Sequence, residues 1–427
     1  MKKILPIIIL TILSAFIIFY RFADIPKHLS FDEVEFTRLA LSLDNKAYIP
    51  YSQLATGHST LYFYILLASL KTFGINTFAL RLPTAIFGIL SVIFFYLILE
   101  IIYKKNKELN TRYLILTTLV LLTSHWFLNF ARFSFEATFL LSLELISIYF
   151  LLKFEDIKKA TRSNFLANRQ GPPWGCGGLK NLGSSFLIIS GFFSGLAFLS
   201  YTPGRIFFLL PLSFLIFKKN IKQLIYFLIP FIIIITPLTS YLLTHKDTRV
   251  DQQFFLMNHE MPVNEKLTGL WHNISSTALM FNIKGDVNGR HNYPNKPALN
   301  PILGILFIVG LLISIKDFKN IYNKLFLLYF LLSIFPALMT YPWENPNMLR
   351  TFTVLPSVVY FIGIAIYNLI AIAPRWSNLI LATCYLLLFF SCFYELRTYF
   401  KYQSTVFDQA FEIKLPLEKA IKTKLKP

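Results

Sequence analysis

Two adjacent carboxylates, five arginines and two histidines are the residues of this chain whose placement suggests chemistry. Asp32 and Glu33 open an amphipathic stretch in which Val34, Phe36, Leu39, Ala40 and Leu43 recur at helical spacing. Ser30 and Glu33 form an S-x-x-E capping box, so local structure competes for Glu33. Asp32 lacks that explanation. It is a first-turn carboxylate just beyond the first apolar run, at the level where lipid meets water. Arg81, Arg132, Arg205 and Arg350 lie where other apolar runs end, and Arg290 stands beside His291 in a long polar loop. Guanidinium binds carboxylate and phosphate through paired donors, whereas a single arginine at a span end can simply snorkel to the interface. For Arg81 and Arg350 the two readings compete evenly; Arg290 has no snorkelling alternative. His58, in Gly57-His58-Ser59-Thr60, sits at a loop–helix junction where capping or ring packing is the competing role. The repetition of arginine implies an anionic ligand at the membrane boundary, and a lipid phosphate fits that position. A carboxylate base at the same level, Asp32, then implies group transfer from a lipid phosphate to an acceptor hydroxyl.

These residues need a membrane scaffold. Of the 427 residues, 55% are hydrophobic, 17% aromatic and 15% charged, with mean hydropathy +0.56; a soluble domain carries about 25% charge. The composition excludes a soluble enzyme, a secreted disulfide scaffold and a disordered chain. Three cysteines make no framework, with Cys384 and Cys392 in one apolar run and Cys176 in a basic loop. Apolar runs near the roughly 20 residues that cross a bilayer predict an all-α integral membrane protein with about 11 transmembrane helices. They fall at about 4–22, 78–102, 113–130, 134–152, 184–200, 205–217, 222–243, 300–315, 322–340, 350–373 and 377–394. The first continues into Phe19-Tyr20-Arg21-Phe22 without a small-residue cleavage pattern, so it reads as a retained anchor. Residues 1–394 form a multi-pass domain, and 395–427 a short exoplasmic tail.

The formal charge of +19 follows the topology. Lys2 and Lys3; Lys104, Lys105, Lys107 and Arg112; Lys153, Lys158, Lys159, Arg162, Arg169 and Lys180; Lys218, Lys219 and Lys222; Lys316, Lys319 and Lys324; and Arg375 fall on alternate loops. The positive-inside rule assigns those loops, and the N-terminus, to the cytoplasm. The charge is therefore topogenic, and no nucleic-acid partner is implied. The exoplasmic side carries loops 23–77 and 244–299, with amphipathic helices in the first. It gathers Asp32, Glu33, Glu35, Asp44, Asp247, Asp251, Glu260, Glu265, Asp286 and Glu344. Arginines in its short crossings run against the charge bias, which gives their repetition weight.

Several segments match one family in order. The chain resembles the polytopic GT-C glycosyltransferases, specifically the bacterial protein O-mannosyltransferase and lipid A aminoarabinose transferase group. Asp32-Glu33 is similar to the Asp-Glu motif of that group's first exoplasmic loop. Gly57-His58-Ser59-Thr60-Leu61 resembles its H-P-P-L segment, with Ser-Thr in place of the prolines. Arg81-Leu82-Pro83 resembles R-L-P-S, and Ala131-Arg132 with Glu136 resembles A-R-x-x-x-E. Residues 285–292 (GDVNGRHN) with Pro294 and Pro297 resemble G-D-x-N-x-R-H-N-x-P, and Met348-Leu349-Arg350-Thr351 with Pro356 resembles the L-R-x-x-x-x-L-P stretch. No W-W-D-x-G segment is present, which argues against an oligosaccharyltransferase.

The resemblance implies a polyprenyl-phosphate-linked sugar donor, an inverting displacement with Asp32 as general base, and Glu33 orienting base or acceptor. His58, Arg81, Arg132, Arg205, Arg290, His291 and Arg350 are the expected donor-phosphate and substrate contacts. Elementary chemistry agrees. The leaving group is already a lipid phosphate, so it needs charge stabilisation rather than protonation. One base plus several arginines suffices, unlike the two carboxylates of a glycosidase. There is no D-x-D pair, and His28, His58 and His291 lack ligand spacing; no metal ligand is assigned, and a divalent cation stays an open question. The sugar, the polyprenol length and the nature of the hydroxyl acceptor (protein, lipid or glycan) also stay open. The expected location is the plasma or inner membrane, with the site exoplasmic. Two rivals are a lipid-linked sugar flippase and a surface-polysaccharide polymerase or ligase. A transporter should hold its ionisable groups near mid-membrane, where Glu144 alone lies clearly inside a span.

Overall fold

The computed structural model describes residues 4–104, 107–167, 176–218, 220–372 and 378–423. Lys2, Lys3, Lys105, Arg169, Lys219, Arg375, Lys424 and Lys426 lie outside the described residues. The chain runs through α1 (Ile4–Phe19) into a first long loop holding α2 (Phe31–Ser42) and α3 (Leu61–Phe73). Between those two helices, Tyr51–Ser52 pairs antiparallel with His58–Ser59. The bundle continues with α4 (Thr77–Ile102), α5 (Lys107–Thr123), α6 (His125–Ala131), α7 (Glu136–Ala167), α8 (Cys176–Phe198), α9 (Leu209–Ile216) and α10 (Ile221–Thr244). The second long loop carries α11 (Thr248–Gln253) and α12 (Val263–Met280). Then come α13 (Pro301–Lys316), α14 (Ile321–Leu338), α15 (Leu355–Ile372) and α16 (Asn378–Arg397). A π-helical turn, Thr398–Gln403, leads to α17 (Ser404–Ala410) and α18 (Leu417–Ala420).

The fold is helical, but the predicted span count is not reproduced helix for helix. Among the described residues five helices are long and apolar enough to cross a membrane, within α4, α7, α10, α14 and the segment Phe352–Leu369. A sixth arises if α5 and α6 count as one. The expected single span 113–130 is broken there: the axis turns by 62° at Ser124, whose φ −55° and ψ 126° leave the helical basin. Glu395 stabilises the break by accepting the freed backbone N–H of His125 at 3.2 Å, and it also bonds the His125 ring. The expected spans 4–22, 184–200 and 300–315 are shorter apolar helices. At 16 residues, α1 is about 24 Å long, less than the roughly 30 Å of a hydrocarbon core. The expected span 205–217 is a 3₁₀ segment, Thr202–Ile206, followed by the eight-residue α9. Cys176 begins α8 rather than lying in a loop.

The α7 and α15 segments are enclosed on most sides, whereas α10 presents most of its surface outward. Close backbone approach holds neighbouring helices together. A Cβ on Gly191 of α8 would meet the Phe227 carbonyl of α10 at 2.1 Å, and one on Gly310 of α13 would meet the Phe361 carbonyl of α15 at 1.7 Å. In lipid, where apolar burial gives no drive between helices, such small-residue contacts supply the packing.

Candidate active site

Neighbouring positions on a helix face about 100° apart, and the Asp32-Glu33 pair is split accordingly. Glu33 is wholly buried. Its carboxylate accepts from Arg81 Nε at 2.8 Å and Nη2 at 3.0 Å, and from the backbone N–H groups of Ser30 and Ser134 at 3.1 Å each. The capping box is complete on both sides. Asp32 turns the other way and is 41% exposed at the wall of a cavity. Its Oδ2 accepts from Arg290 Nη1 at 2.6 Å.

That cavity, of about 490 Å³, collects charge from four separate stretches of chain. Asp32 and His58 come from the first long loop, Arg249 from α11, Asp286, Arg290 and His291 from the loop before α13, and Glu344 and Arg350 from the segment before α15. Three carboxylates meet basic side chains: Asp32 with Arg290, Asp286 with the His291 ring at 2.9 Å, and Glu344 with Arg350. Asp286 also fixes the loops, its Oδ2 accepting from Met348 N–H at 2.8 Å and its Oδ1 from Asn288 N–H at 2.8 Å. Burial pulls the Arg350 guanidinium below its ordinary value to about 10, Tyr201 resisting and Arg249 adding to the effect. It stays protonated at neutral pH.

Arg249 is different. It is buried, and its Nη1 lies 2.5 Å from His58 Nε2. His58 meets Glu136 through Nδ1 at 2.8 Å, a nitrogen that Arg249 Nη1 also approaches at 3.3 Å. An Nδ1–H tautomer would donate to Glu136 and accept from Arg249; the Ala55 carbonyl, 2.9 Å from Nε2, competes for the same edge. Arg249 Cζ lies 5.6 Å from the Tyr201 ring centroid, and Nε of Arg249 has no hydrogen-bond partner. Among the described residues Arg249 makes no direct ion pair with a carboxylate, and its buried charge reaches Glu136 only through His58. Such a charge is costly unless an anion joins it.

The other expected arginines lie elsewhere. Arg81 is wholly buried, donating to Glu33 and to the carbonyls of Pro26 at 2.5 Å and His28 at 2.8 Å. Arg132, also wholly buried, donates to the carbonyls of Ile17, Ile18, Arg21 and Ile25 and to the Tyr399 hydroxyl. Neither lines the cavity; both tie the connection after α1 to the bundle. Arg205 pairs with Asp247, which caps α11 through the Val250 N–H at 3.2 Å and so positions the helix bearing Arg249. The structure therefore brings Asp32, His58, Arg290, His291 and Arg350 to one cavity and sets Glu33, Arg81, Arg132 and Arg205 around it as struts. Glu144 accepts from the Tyr329 hydroxyl at 2.6 Å inside the bundle. A larger, open groove of about 610 Å³ lies beyond α11, lined by Leu242–Asp247, Asp251, Met257 and His259. It contains no arginine. Among the described residues no cluster of three or more His, Cys, Asp or Glu could hold a metal ion.

Sequence reasoning missed Arg249 and Tyr201. Arg249 sits in Lys246-Asp247-Thr248-Arg249-Val250-Asp251, which reads as a solvated loop. The one available signal was Asp247 as an N-cap, which makes the following residues helical and gives Arg249 a fixed direction.

No family model matches this sequence, and no curated protein matches it. Its fold is similar to solved membrane enzymes. ArnT from Cupriavidus metallidurans, bound to undecaprenyl phosphate, superposes with TM-score 0.52 at 13% identity over 97% of this chain and 77% of that one. The archaeal oligosaccharyltransferase AglB from Archaeoglobus fulgidus, in complex with an inhibitory peptide and a dolichol-phosphate, gives TM-score 0.55 at 13% identity over 96% of this chain. This chain spans 56% of AglB. At such identities the likeness establishes the fold alone: the helical membrane architecture of ArnT and AglB.

Proposed function

We propose that this protein transfers a sugar from a polyprenyl-phosphate-linked donor to an acceptor hydroxyl at the exoplasmic face of the membrane. The observation that carries the reading is Arg249, a buried guanidinium with no direct carboxylate partner among the described residues, in the same cavity as Arg350 and the Asp32–Arg290 pair. The lipid phosphates bound to ArnT and AglB, on the same fold, support an anion of that class.

In the proposed reaction the donor phosphate lies against Arg249 and Arg350. The acceptor oxygen attacks the anomeric carbon from the opposite side, and its proton passes to Asp32. The bond from the anomeric carbon to the phosphate oxygen breaks, its electron pair staying on the phosphate, where guanidinium charge stabilises it. Attack opposite the leaving group inverts the anomeric centre. Arg290 occupies one oxygen of Asp32 and leaves the other for the acceptor hydroxyl. The outward-facing assignment is supported by the loop charge pattern; the Leu29–Ile413 bridge puts the C-terminal segment on the same side as the loop that bears Asp32.

The test is turnover of a synthetic polyprenyl-phosphate sugar by purified protein, with mass spectrometry of cellular glycans and glycolipids, with and without the gene, to identify the acceptor. Asp32→Asn keeps the shape but cannot take the proton, so turnover should fall at least ~10²-fold with the folded protein intact. Near-normal turnover would remove Asp32 as base.

A further inference from the structure

The residues on either side of the reacting pair are held by the C-terminal segment. Asp32 and Arg290 are far apart in sequence and partly exposed, at 41% and 26%. An exposed ion pair contributes little by itself, so it cannot set the distance between its own loops. Something stiffer must.

That element follows α16. Glu412 Oε1 accepts the backbone N–H of Phe31, the residue before Asp32, at 2.9 Å. Leu29 and Ile413 form an antiparallel bridge with N–H to carbonyl distances of 3.1 and 3.0 Å. On the other loop, the buried Gln403 donates from Nε2 to the carbonyl of Gly289, the residue before Arg290, at 2.7 Å. Gly289 itself rests on α17: a Cβ there would meet Val406 Cγ1 at 2.7 Å and Ala410 Cβ at 3.0 Å. Phe407 and Phe411 anchor the segment in the core, and the Phe411 ring lies 5.8 Å from the guanidinium carbon of Arg81, the partner of Glu33. One short stretch therefore holds the backbone immediately ahead of both Asp32 and Arg290.

We propose that residues 403–413 are a clamp that sets the Asp32–Arg290 separation, with Gln403 and Glu412 as positioning residues. The functional meaning rests on Asp32 being the base; the geometry does not. In the full-length protein, Gln403→Glu keeps the side-chain size but turns a carboxylate oxygen toward the Gly289 carbonyl. Glu412→Ala removes the acceptor for Phe31, and Glu412→Gln restores it. Displacing a reacting group by about 1 Å can cost up to ~10²-fold in rate. Gln403→Glu and Glu412→Ala should each lower kcat about tenfold and leave KM for the lipid-linked sugar unchanged, with the exposed Glu412→Ala change keeping the thermal midpoint close to that of the parent. Glu412→Gln should retain near-parental kcat.

A second readout needs no turnover. In protein lacking Cys176, Cys384 and Cys392, an Asp32→Cys, Arg290→Cys pair should cross-link rapidly with a short bifunctional thiol reagent. Adding Gln403→Glu and Glu412→Ala should slow that cross-linking. Unchanged cross-linking overturns the clamp, as does equal loss of kcat in Glu412→Ala and Glu412→Gln. If Gln403→Glu does not fold, the Glu412 pair carries both measurements. Normal turnover in Asp32→Asn would overturn the base assignment while leaving the cross-linking result standing, so the two failures are distinguishable.

Discussion

Arg249 Nη1 lies 2.5 Å from His58 Nε2, and the two residues come from loops that are 191 positions apart. The contact fixes one end of a buried guanidinium whose Nε remains unpartnered. His58 is held in turn by Glu136 at the start of α7. The guanidinium is thereby held at the wall of a cavity that also holds Arg350.

Arg249→Ala should weaken binding of a polyprenyl-phosphate sugar by about ten- to a hundredfold, the loss of a charge-assisted hydrogen bond of roughly 1.5–3 kcal/mol. Arg249→Lys should recover only part, since an ammonium cannot make the planar paired contact. Isothermal titration with purified protein checks both. Unchanged affinity in Arg249→Ala and Arg350→Ala together would withdraw the phosphate site and bring the flippase reading level.

Glu33 and Arg81 are expected to matter for folding. Both are wholly buried and mutually bonded, and breaking one side of such a pair costs about 3–5 kcal/mol. Arg81→Ala should therefore lower the thermal midpoint sharply, and Glu33→Gln should do so less, since Gln can still fill the capping position. Parental stability combined with lost donor binding would return these residues to the substrate site.

Acid should weaken the His58 contact. Burial first, and the charge of Arg249 second, push its imidazole below the ordinary 6.5, outweighing the pull of Glu136. The unfolded chain thus takes up a proton near pH 6.5 that the folded protein refuses. His58 therefore makes stability fall as pH drops through about 6.5 toward the lower folded value, and has no such effect above about pH 7. Thermal melts between about pH 7 and 5 should steepen in the parent relative to His58→Gln. Parallel curves would assign the acid sensitivity to other groups.

The C-terminal segment and the Asp32 loop must share a side of the membrane, because Leu29 pairs with Ile413 and Arg38 donates to the Ala420 and Ile421 carbonyls. A cysteine at the exposed Asp408, in protein without its own cysteines, should react with an impermeant maleimide in intact cells. Labelling only after permeabilisation would move the tail, and the Asp32 cavity with it, to the cytoplasmic side.

Composition and periodicity alone settled that this is a helical membrane protein, because surplus apolar residues have only lipid to face. Local spacing also identified α2 and its capping box, which depend on residues three positions apart. Which way each charged side chain serves was not readable in that manner. Asp32 and Glu33 are adjacent, yet Arg81 and Ser134 claim one and Arg290 the other. Arg81 and Arg132 match the pattern of a binding site and are buried among backbone carbonyls instead. Arg249 matched no pattern and lies at the cavity wall. The physical reason is range: capping and amphipathicity act within a few residues, whereas a buried charge is decided by what distant loops bring within hydrogen-bond reach.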